Sequence, residues 1–227
     1  IAAAMGYVAR TFLGIGLRLA FLAVLMVAGG VIWFAGQVPP IETVIDGRQR
    51  GSVTLMDRDG DVFAWRGEQF DRIASASDVS PHVVHAVIAT EDRRFYRHFG
   101  VSPRGIASAV RINLSEGRGP LSGHGGSTLT QQTAKLMCLG VPYDSAQWDS
   151  EAAYEADCRR TTLWRKAREA LYAMAMELRY SKDEILTIYF NRAYLGASAR
   201  GFEAASERYF SKSSAELNPA EAAMLAG

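Results

Sequence analysis

The chain is short of cysteine and of net charge, and both shortages exclude classes of protein. It has two cysteines in 227 residues, and His124 is the only histidine near them in sequence, which argues against a cysteine-based metal site. Its 25 Lys and Arg residues against 24 Asp and Glu residues give a formal net charge of +1, without the basic excess usual for a nucleic-acid-binding domain. The Gly-Lys-Ser/Thr order of a phosphate-binding P-loop is absent as well. We therefore expect a protein that does not bind nucleic acid.

Charge is also missing from one long stretch near the N-terminus. Residues 19–35 are uncharged, and extending back to Thr11 adds only Arg18, which gives about 25 residues, enough to cross a ~30 Å hydrocarbon layer. Arg10 and Arg18 precede the run and Trp33 lies near its other end, so the positive-inside rule places the N-terminus in the cytoplasm and the rest outside. A cleaved signal peptide is the alternative, but the run is long for one. The pattern predicts a single-span signal anchor.

The two cysteines, Cys138 and Cys158, flank a polar segment that reads as an exposed excursion. In an oxidising compartment a disulfide between them would close a loop of about 20 residues and contribute roughly 3 kcal/mol. Two unrelated free thiols are the alternative.

The remaining chain reads as one mainly α-helical domain behind a small hairpin. We predict an anchor at 1–36, a linker at 37–50 and a domain at 51–227. The alternating residues 53–65, with Asp59-Gly60 between their halves, predict a β-hairpin. Helical patterns follow at 81–91, 103–115, 127–138, 160–179, 182–192, 198–209 and 219–226.

The most informative motif is the segment from Glu91 to Gly100, which starts at the end of a predicted helix. A carboxylate at a helix C-terminus feels the negative end of the dipole, and an apolar setting disfavours its ionised form further. A general base that works near neutral pH requires such an environment. A helix-end ion-pair cluster is the structural alternative.

A second motif is the glycine-rich segment 123–135, which runs into the start of a helix. The free N–H groups of a first helical turn form an anion site. Thr128, Gln132 and Lys135 follow at i, i+4 and i+7, so they share one face and could line a groove. An ordinary capped helix after a loop explains the same pattern.

A third motif runs from Arg165 to Glu177. Helical spacing places Lys166 and Glu177 on one face about 16 Å apart. A carboxylate and cations on a rigid helix could bind a substrate that carries negative charge. An amphipathic helix with a solvated charged face is the alternative.

In combination these motifs resemble the peptidoglycan glycosyltransferase family, which comprises monofunctional enzymes and the glycan-polymerising domain of class A penicillin-binding proteins. The first family motif, Glu-Asp-x-x-Phe-x-x-His-x-Gly, matches Glu91, Asp92, Phe95, His98 and Gly100. The second matches residues 125–132 with Lys135, the third matches residues 165–191, and the last begins at Tyr194-Leu195-Gly196 and continues to Gly227. Ser102, Ser108 and the excursion between the cysteines depart from the family pattern.

The resemblance implies a mainly α, lysozyme-like fold with one transmembrane helix, and lipid II as the substrate. It assigns Glu91 as the general base and Glu177 as the second carboxylate, the latter with a divalent cation (Mg²⁺ or Mn²⁺) as the one candidate cofactor. Cations would neutralise the departing pyrophosphate, and these are Lys135, Arg165 and Lys166. The other substrate-binding residues it implies are Asp92, Phe95, His98, Ser127, Thr128, Gln131 and Gln132.

The same resemblance implies a place and partners. The protein would lie in the bacterial cytoplasmic membrane, with its catalytic domain on the periplasmic side and Leu114, Leu121, Leu136, Met137, Leu139 and Trp148 near lipid. Its partners would be lipid II, the growing glycan strand, the bilayer and a transpeptidase or other wall-synthesis protein. A lytic transglycosylase or hydrolase of the same fold, and a non-catalytic anchored scaffold, are the alternatives. The chain shows no Ser-x-x-Lys, Ser-Asp-Asn or Lys-Thr-Gly motif, so we expect no penicillin-binding active site within it.

Overall fold

The computed structural model describes residues 2–45, 53–59, 62–66, 69–70, 75–120, 122–123, 125–160 and 162–227. Its helices are α1 Ala2–Ala35, α2 Ile41–Ile45, α3 Pro81–Glu91, α4 Pro103–Ser115, α5 Leu129–Leu136, α6 Glu151–Cys158, α7 Leu163–Arg179, α8 Lys182–Arg192, α9 Phe202–Phe210 and α10 Pro219–Ala226. The strands are β1 Val53–Met56, β2 Val62–Arg66, β3 Gln69–Phe70 and β4 Ala199–Arg200. The predicted mainly α fold is confirmed.

Four helices have the predicted bounds because a capping residue marks the start of each in the sequence: α3, α4, α8 and α10. Ser80, Ser102, Ser181 and Asn218 each cap one of them by accepting a backbone N–H bond. The predicted hairpin is also confirmed: β1 pairs with β2 antiparallel, with Val53 opposite Arg66. Gly60, the second residue of its predicted Asp-Gly turn, lies outside the described residues.

The helix predicted at 127–138 is shorter in the structure. It begins at Leu129 because Thr128 is the N-cap, in a capping box with Gln131. It ends at Leu136 because the backbone turns left-handed at Cys138 (φ 52°) and Leu139 (φ 55°). Met137 and Leu139, predicted to lie near lipid, are instead buried in the core.

The polar excursion is more ordered than its composition suggested. It contains α6, which Ser150 caps by accepting a hydrogen bond from the Ala153 N–H. Cys138 and Cys158 form the predicted disulfide, with their Cα atoms 5.2 Å apart.

The core of the domain is built around α7 and α8. The central turns of α7 are fully buried at Tyr172, Ala173 and Met176, and α8 is buried along 185–191. Helix α5 packs against both of them. This arrangement brings the second and third sequence motifs onto adjoining helices.

Helix α1 is long and apolar enough to cross a membrane: Phe12–Ala35 has a mean hydropathy of 2.3, and most of it faces outward. Its C-terminal end instead joins the core. Phe34 is buried with its ring centroid 5.7 Å from that of Tyr172, and Gly30 lies against Leu171. The Tyr180 hydroxyl donates to the Pro39 carbonyl. The three contacts follow the same order along both segments, from Gly30 to Pro39 on one and from Leu171 to Tyr180 on the other. Helices α1 and α7 therefore run in the same direction.

Part of the predicted linker packs against the domain. Val38, Val44 and Ile45 are buried in the core, and Arg192 donates two hydrogen bonds to the Val44 carbonyl at 3.1 and 2.8 Å. The anchor and the domain are therefore connected by packed chain over residues 36–45. The domain boundaries at 36 and 50 stay predictions.

Gly100 offers a test of how tightly the first motif is packed on α7. Its φ is +72°, and a Cβ there would lie 2.7 Å from the Ala173 carbonyl carbon. We expect Gly100→Ala to lower the free energy of unfolding by about 3 kcal/mol, because left-handed strain and overpacking add. The measurement is urea unfolding of the detergent-solubilised protein, followed by tryptophan fluorescence.

The matched control is Gly117→Ala. Gly117 has nearly the same φ, +71°, but no atom lies within 4 Å of a Cβ placed there. Only the left-handed backbone strain remains, and we expect Gly117→Ala to lower the free energy of unfolding by about 1 kcal/mol. Equal losses in the two variants would contradict the close approach of Gly100 to α7.

Candidate active site

The carboxylate of Glu91 lies half-buried at the last residue of α3. The Gln132 amide on α5 donates to its Oε2 at 2.7 Å, which joins the first motif to the second. Burial, and then the charge of Glu91, raise the pKa of Tyr189, so the Tyr189 hydroxyl stays neutral beside the carboxylate. Among the described residues, Gln132 is the hydrogen-bond donor to Glu91. The carboxylate is therefore oriented by one amide while part of it remains open.

Asp92, the next residue, has a different environment. Its Oδ2 accepts from His98 Nε2 at 2.7 Å and from the Leu129 backbone N–H at 3.0 Å, and its side chain is only 7% exposed. Burial acts to raise the pKa of Asp92, but the hydrogen bonds from His98, Leu129 and Arg94 and the charge of His98 together outweigh it, so the pKa lies below its ordinary value. Asp92 thus fastens the start of α5 to the end of α3.

Glu177, predicted as the second catalytic carboxylate, is held inside the scaffold. Its Oε1 accepts from the Gly100 N–H at 3.1 Å, the Thr130 hydroxyl at 2.7 Å and the Lys182 ammonium at 2.6 Å. The side chain is 5% exposed. These contacts favour a structural role for Glu177, although its catalytic role stays a prediction.

A second cluster lies at the start of α7. Lys166 donates to the Ser127 hydroxyl at 2.6 Å and to Glu169 Oε1, and Arg165 Nη1 lies 3.3 Å from Glu169 Oε2. The Glu169 side chain is 2% exposed, whereas that of Lys166 is 44% exposed. The structure therefore brings together the predicted residues Ser127, Arg165 and Lys166, with a glutamate that the sequence analysis did not single out.

The other predicted substrate-binding residues divide into two groups. Phe95 and His98 are buried, with Lys182 Nζ 4.5 Å above the Phe95 ring, and Thr128 donates to the Gly100 carbonyl at 2.5 Å. Gln131 is buried and completes the capping box of α5. These four side chains build the site, whereas Gln132 and the exposed Lys135 line a cavity of about 340 Å³ beside Tyr189.

Sequence analysis missed Glu169, Thr130 and Lys182 as site residues. All three lie within the quoted motifs: Glu169 and Lys182 are three to five residues from a predicted partner, whereas Thr130 is 47 residues from its partner Glu177. The signal for Glu169 was its spacing of three and four from Lys166 and Arg165, which is the spacing of helical ion pairs.

The residues around Glu177 do not fit a divalent cation. Three N–H or O–H donors, one of them an ammonium group, already point at its Oε1. Among the described residues no group of three His, Cys, Asp or Glu side chains could hold a metal ion.

The described residues thus form a helical domain with an apolar N-terminal helix, an oriented glutamate and a neighbouring cationic cluster. The family model described as Transglycosylase matches residues 59–227, and the chain belongs to this family.

Similar full-length proteins are penicillin-binding proteins 1A. The chain is 36% identical to the one from Neisseria cinerea over 220 residues, which is 97% of this chain and 25% of the relative. It is 37% identical to the one from Neisseria flavescens over 96% of this chain and 25% of the relative. It is 34% identical to the one from Escherichia coli K12 over 93% of this chain and 23% of the relative. The chain spans about a quarter of the length of these relatives.

The Asp92 network predicts acid sensitivity. A depressed pKa in the folded state contributes stability above the unfolded pKa of about 4, and this contribution is lost as the pH falls through the lower, folded pKa. We expect Asp92→Asn to lower the free energy of unfolding by about 2 kcal/mol at pH 7, because charge-assisted hydrogen bonds are lost. The difference in free energy of unfolding between this variant and the unmodified protein should shrink toward pH 3. Urea unfolding at both pH values measures it.

Asp149→Asn is the control, since Asp149 lies exposed in the excursion. We expect it to change the free energy of unfolding by less than about 0.5 kcal/mol at either pH. A difference for Asp92→Asn that does not depend on pH would contradict the depressed pKa.

Proposed function

We propose that this chain is the glycosyltransferase part of a peptidoglycan polymerase, which joins lipid II into glycan strands with inversion at the anomeric carbon. One observation carries the proposal: the half-buried Glu91 carboxylate, oriented by Gln132 at 2.7 Å, beside a cleft that Gln132 and the cation Lys135 line. The family membership supports the same reaction.

In the proposed reaction Glu91 is the general base. It takes the proton from the 4-hydroxyl of the acceptor sugar as that oxygen attacks the anomeric carbon of the growing strand. The bond from that carbon to the pyrophosphate oxygen breaks, and undecaprenyl pyrophosphate leaves with the electron pair. Orientation of one carboxylate oxygen by Gln132 leaves the other to accept the proton.

The departing pyrophosphate requires cations, and the cluster at the start of α7 supplies them. Lys166 is anchored by Glu169 and Ser127 yet remains 44% exposed, so its ammonium group is oriented and also accessible. Arg165 is held by the same glutamate. We propose Glu169, rather than Glu177, as the second carboxylate of the site, because it orients the cations that receive the leaving group.

The geometry of α1 supports a site at the membrane surface. Because α7 runs alongside α1 in the same direction, its first residues lie about 10 Å from Leu171 toward the N-terminal end of α1. Two of them, Leu163 and Trp164, are 77% and 74% exposed, which suits contact with lipid. We propose a bacterial cytoplasmic-membrane protein whose domain acts on the periplasmic face.

The two alternative functions explain less. A lytic transglycosylase or hydrolase of similar fold does not release a pyrophosphate, so the cluster of Lys166, Arg165 and Glu169 would have no role. A non-catalytic scaffold leaves the orientation of Glu91 by Gln132 unexplained. A transpeptidase or another wall-synthesis protein as partner belongs to the same proposal.

Replacement of Glu91 tests the reaction. We expect Glu91→Gln to reduce glycan polymerisation by about 10²–10⁴-fold, because the amide cannot accept the proton while its shape is kept. Detergent-solubilised protein that retains α1 is incubated with fluorescent lipid II, and the products are separated on a gel.

Glu207→Gln, the same change at an exposed position of α9, should leave the ladder of glycan strands unchanged. A ladder that persists in Glu91→Gln would exclude Glu91 as the base. Shortened glycan, or no ladder from the unmodified folded protein, would overturn the proposed polymerase.

A pair of variants separates the two candidate second carboxylates. We expect Glu169→Gln to lower polymerisation per folded molecule by about 10²-fold or more, because the cations lose their orientation. Glu177→Gln should instead lower the free energy of unfolding by about 3 kcal/mol, since it breaks a buried pair with Lys182. Gel assays of initial rate and urea unfolding are run on both proteins.

The rate is divided by the folded fraction in each case. A fully folded Glu177→Gln protein without activity, beside an active Glu169→Gln protein, would return the second-carboxylate role to Glu177.

A further inference from the structure

The excursion between the cysteines is a packed unit and not a loose loop. The Tyr154 side chain is buried, its hydroxyl donates to the Val141 carbonyl at 2.5 Å, and its ring packs edge-on against Trp148 with centroids 5.1 Å apart. The disulfide joins the end of α6 to the chain just after α5. The excursion is therefore held in one position relative to the helix that carries Gln132 and Lys135.

Residues of the excursion form one wall of the cavity beside Glu91. The lining also contains Tyr189 and Gln132, and Gln132 donates to Glu91. The cavity is cationic, because it is lined by four basic side chains and one acidic side chain: Lys135, Arg159, Arg192, Arg200 and Glu155. A cavity of this charge that adjoins the candidate base attracts an anionic part of the substrate.

An ion-pair chain fixes one of these cations in the wall. Glu155 Oε1 pairs with Arg200 Nη2 at 2.9 Å, and its Oε2 pairs with Arg159 Nη2 at 3.1 Å. The Arg200 side chain is only 8% exposed and belongs to β4, so it provides a rigid base, whereas the Arg159 side chain is 58% exposed. Arg159 also follows Cys158 directly, so the disulfide fixes its backbone.

We propose that the disulfide-closed excursion is a substrate-binding element, in which Arg159 binds an anionic group of the lipid-linked substrate and Glu155 positions Arg159. Guanidinium groups suit this task because they bind phosphate and carboxylate oxygens through two parallel hydrogen bonds. The inference rests on the proposed function and names a contact that neither the motifs nor the Lys166 cluster includes.

Two anionic groups of the substrate share this chemistry: the pyrophosphate and the carboxylates of the peptide stem. Undecaprenyl pyrophosphate carries the first and lacks the second, so it separates the two sources. The proposal itself requires only that an anionic oxygen of the substrate contacts Arg159.

The test measures binding without turnover, in the Glu91→Gln background. Fluorescent lipid II is titrated with detergent-solubilised protein that retains α1, and its anisotropy gives Kd; unlabelled undecaprenyl pyrophosphate is then added as competitor. We expect Arg159→Ala to raise the Kd for lipid II on the order of tenfold or more, as for loss of a charge-assisted hydrogen bond. Arg159→Lys should recover part of the loss.

Arg160→Ala is the matched control. Arg160 is the next residue, is 74% exposed and pairs with Asp157, but does not line the cavity. It should leave Kd within about twofold, since surface pairs contribute little. Reduction of the disulfide should narrow the difference in Kd between the Arg159→Ala protein and the Glu91→Gln protein it was made from, because the released excursion no longer positions Arg159. Thermal unfolding confirms that each variant is folded.

The outcomes distinguish the two proposals. Weaker binding of both lipid II and undecaprenyl pyrophosphate assigns Arg159 to the pyrophosphate, and weaker binding of lipid II alone assigns it to the peptide carboxylates. Equal Kd values for Arg159→Ala and Arg160→Ala, in a protein whose unmodified form makes glycan ladders, would overturn this inference alone. No binding of lipid II and no ladder would overturn the proposed function with it.

Discussion

The site depends on one buried carboxylate, that of Glu177. Its Oε1 accepts hydrogen bonds from Gly100, Thr130 and Lys182, which belong to the first motif, to α5 and to α8. A nearly inaccessible charge is tolerated only when it is paired and hydrogen-bonded, so these three segments must converge on α7 for the fold to be stable. Their convergence holds the start of α5 against the end of α3, where Glu91 and Gln132 meet. The geometry of the candidate base therefore follows from a carboxylate that need not react.

The four acidic residues of the site differ in the hydrogen-bond donors that surround them. Asp92 and Glu177 accept from backbone N–H groups as well as from side chains, and both are enclosed. Glu91 accepts from a side-chain amide and lies half-buried beside a cavity. Glu169 is buried, but the lysine it holds is accessible. Neighbouring carboxylates can thus take structural, basic and cation-orienting roles in one site, because burial and hydrogen bonding differ at each.

The sequence predicted the local elements well and the roles of the glutamates less well. Helices α3, α4, α8 and α10, each with a Ser or Asn cap, began where predicted, since capping depends on a few neighbouring residues. Helix α6 was missed because its composition is polar, and Tyr154 is packed by residues of the excursion that precede the helix, such as Trp148 and Val141. Helical spacing placed Glu177 on the face of Lys166, but it could not show that Lys182, beyond the end of α7, would neutralise that carboxylate. Contacts of this kind, between side chains of two different helices, are decided by packing.

Helix α7 connects the anchor to the chemistry. Near Leu171 and Tyr172 it packs against the end of α1, and within the two preceding turns it carries Lys166 and Glu169. A rigid helix of about 1.5 Å rise per residue fixes the distance between these points, so the depth of α1 in a bilayer would set the height of the cationic cluster. A substrate whose pyrophosphate lies at the membrane surface needs its cations at that height. Because residues 36–45 are packed, the anchor cannot shift relative to the domain as it could on a flexible linker. The hydrogen bonds from Arg192 to the Val44 carbonyl contribute to this by joining the anchor segment to the core.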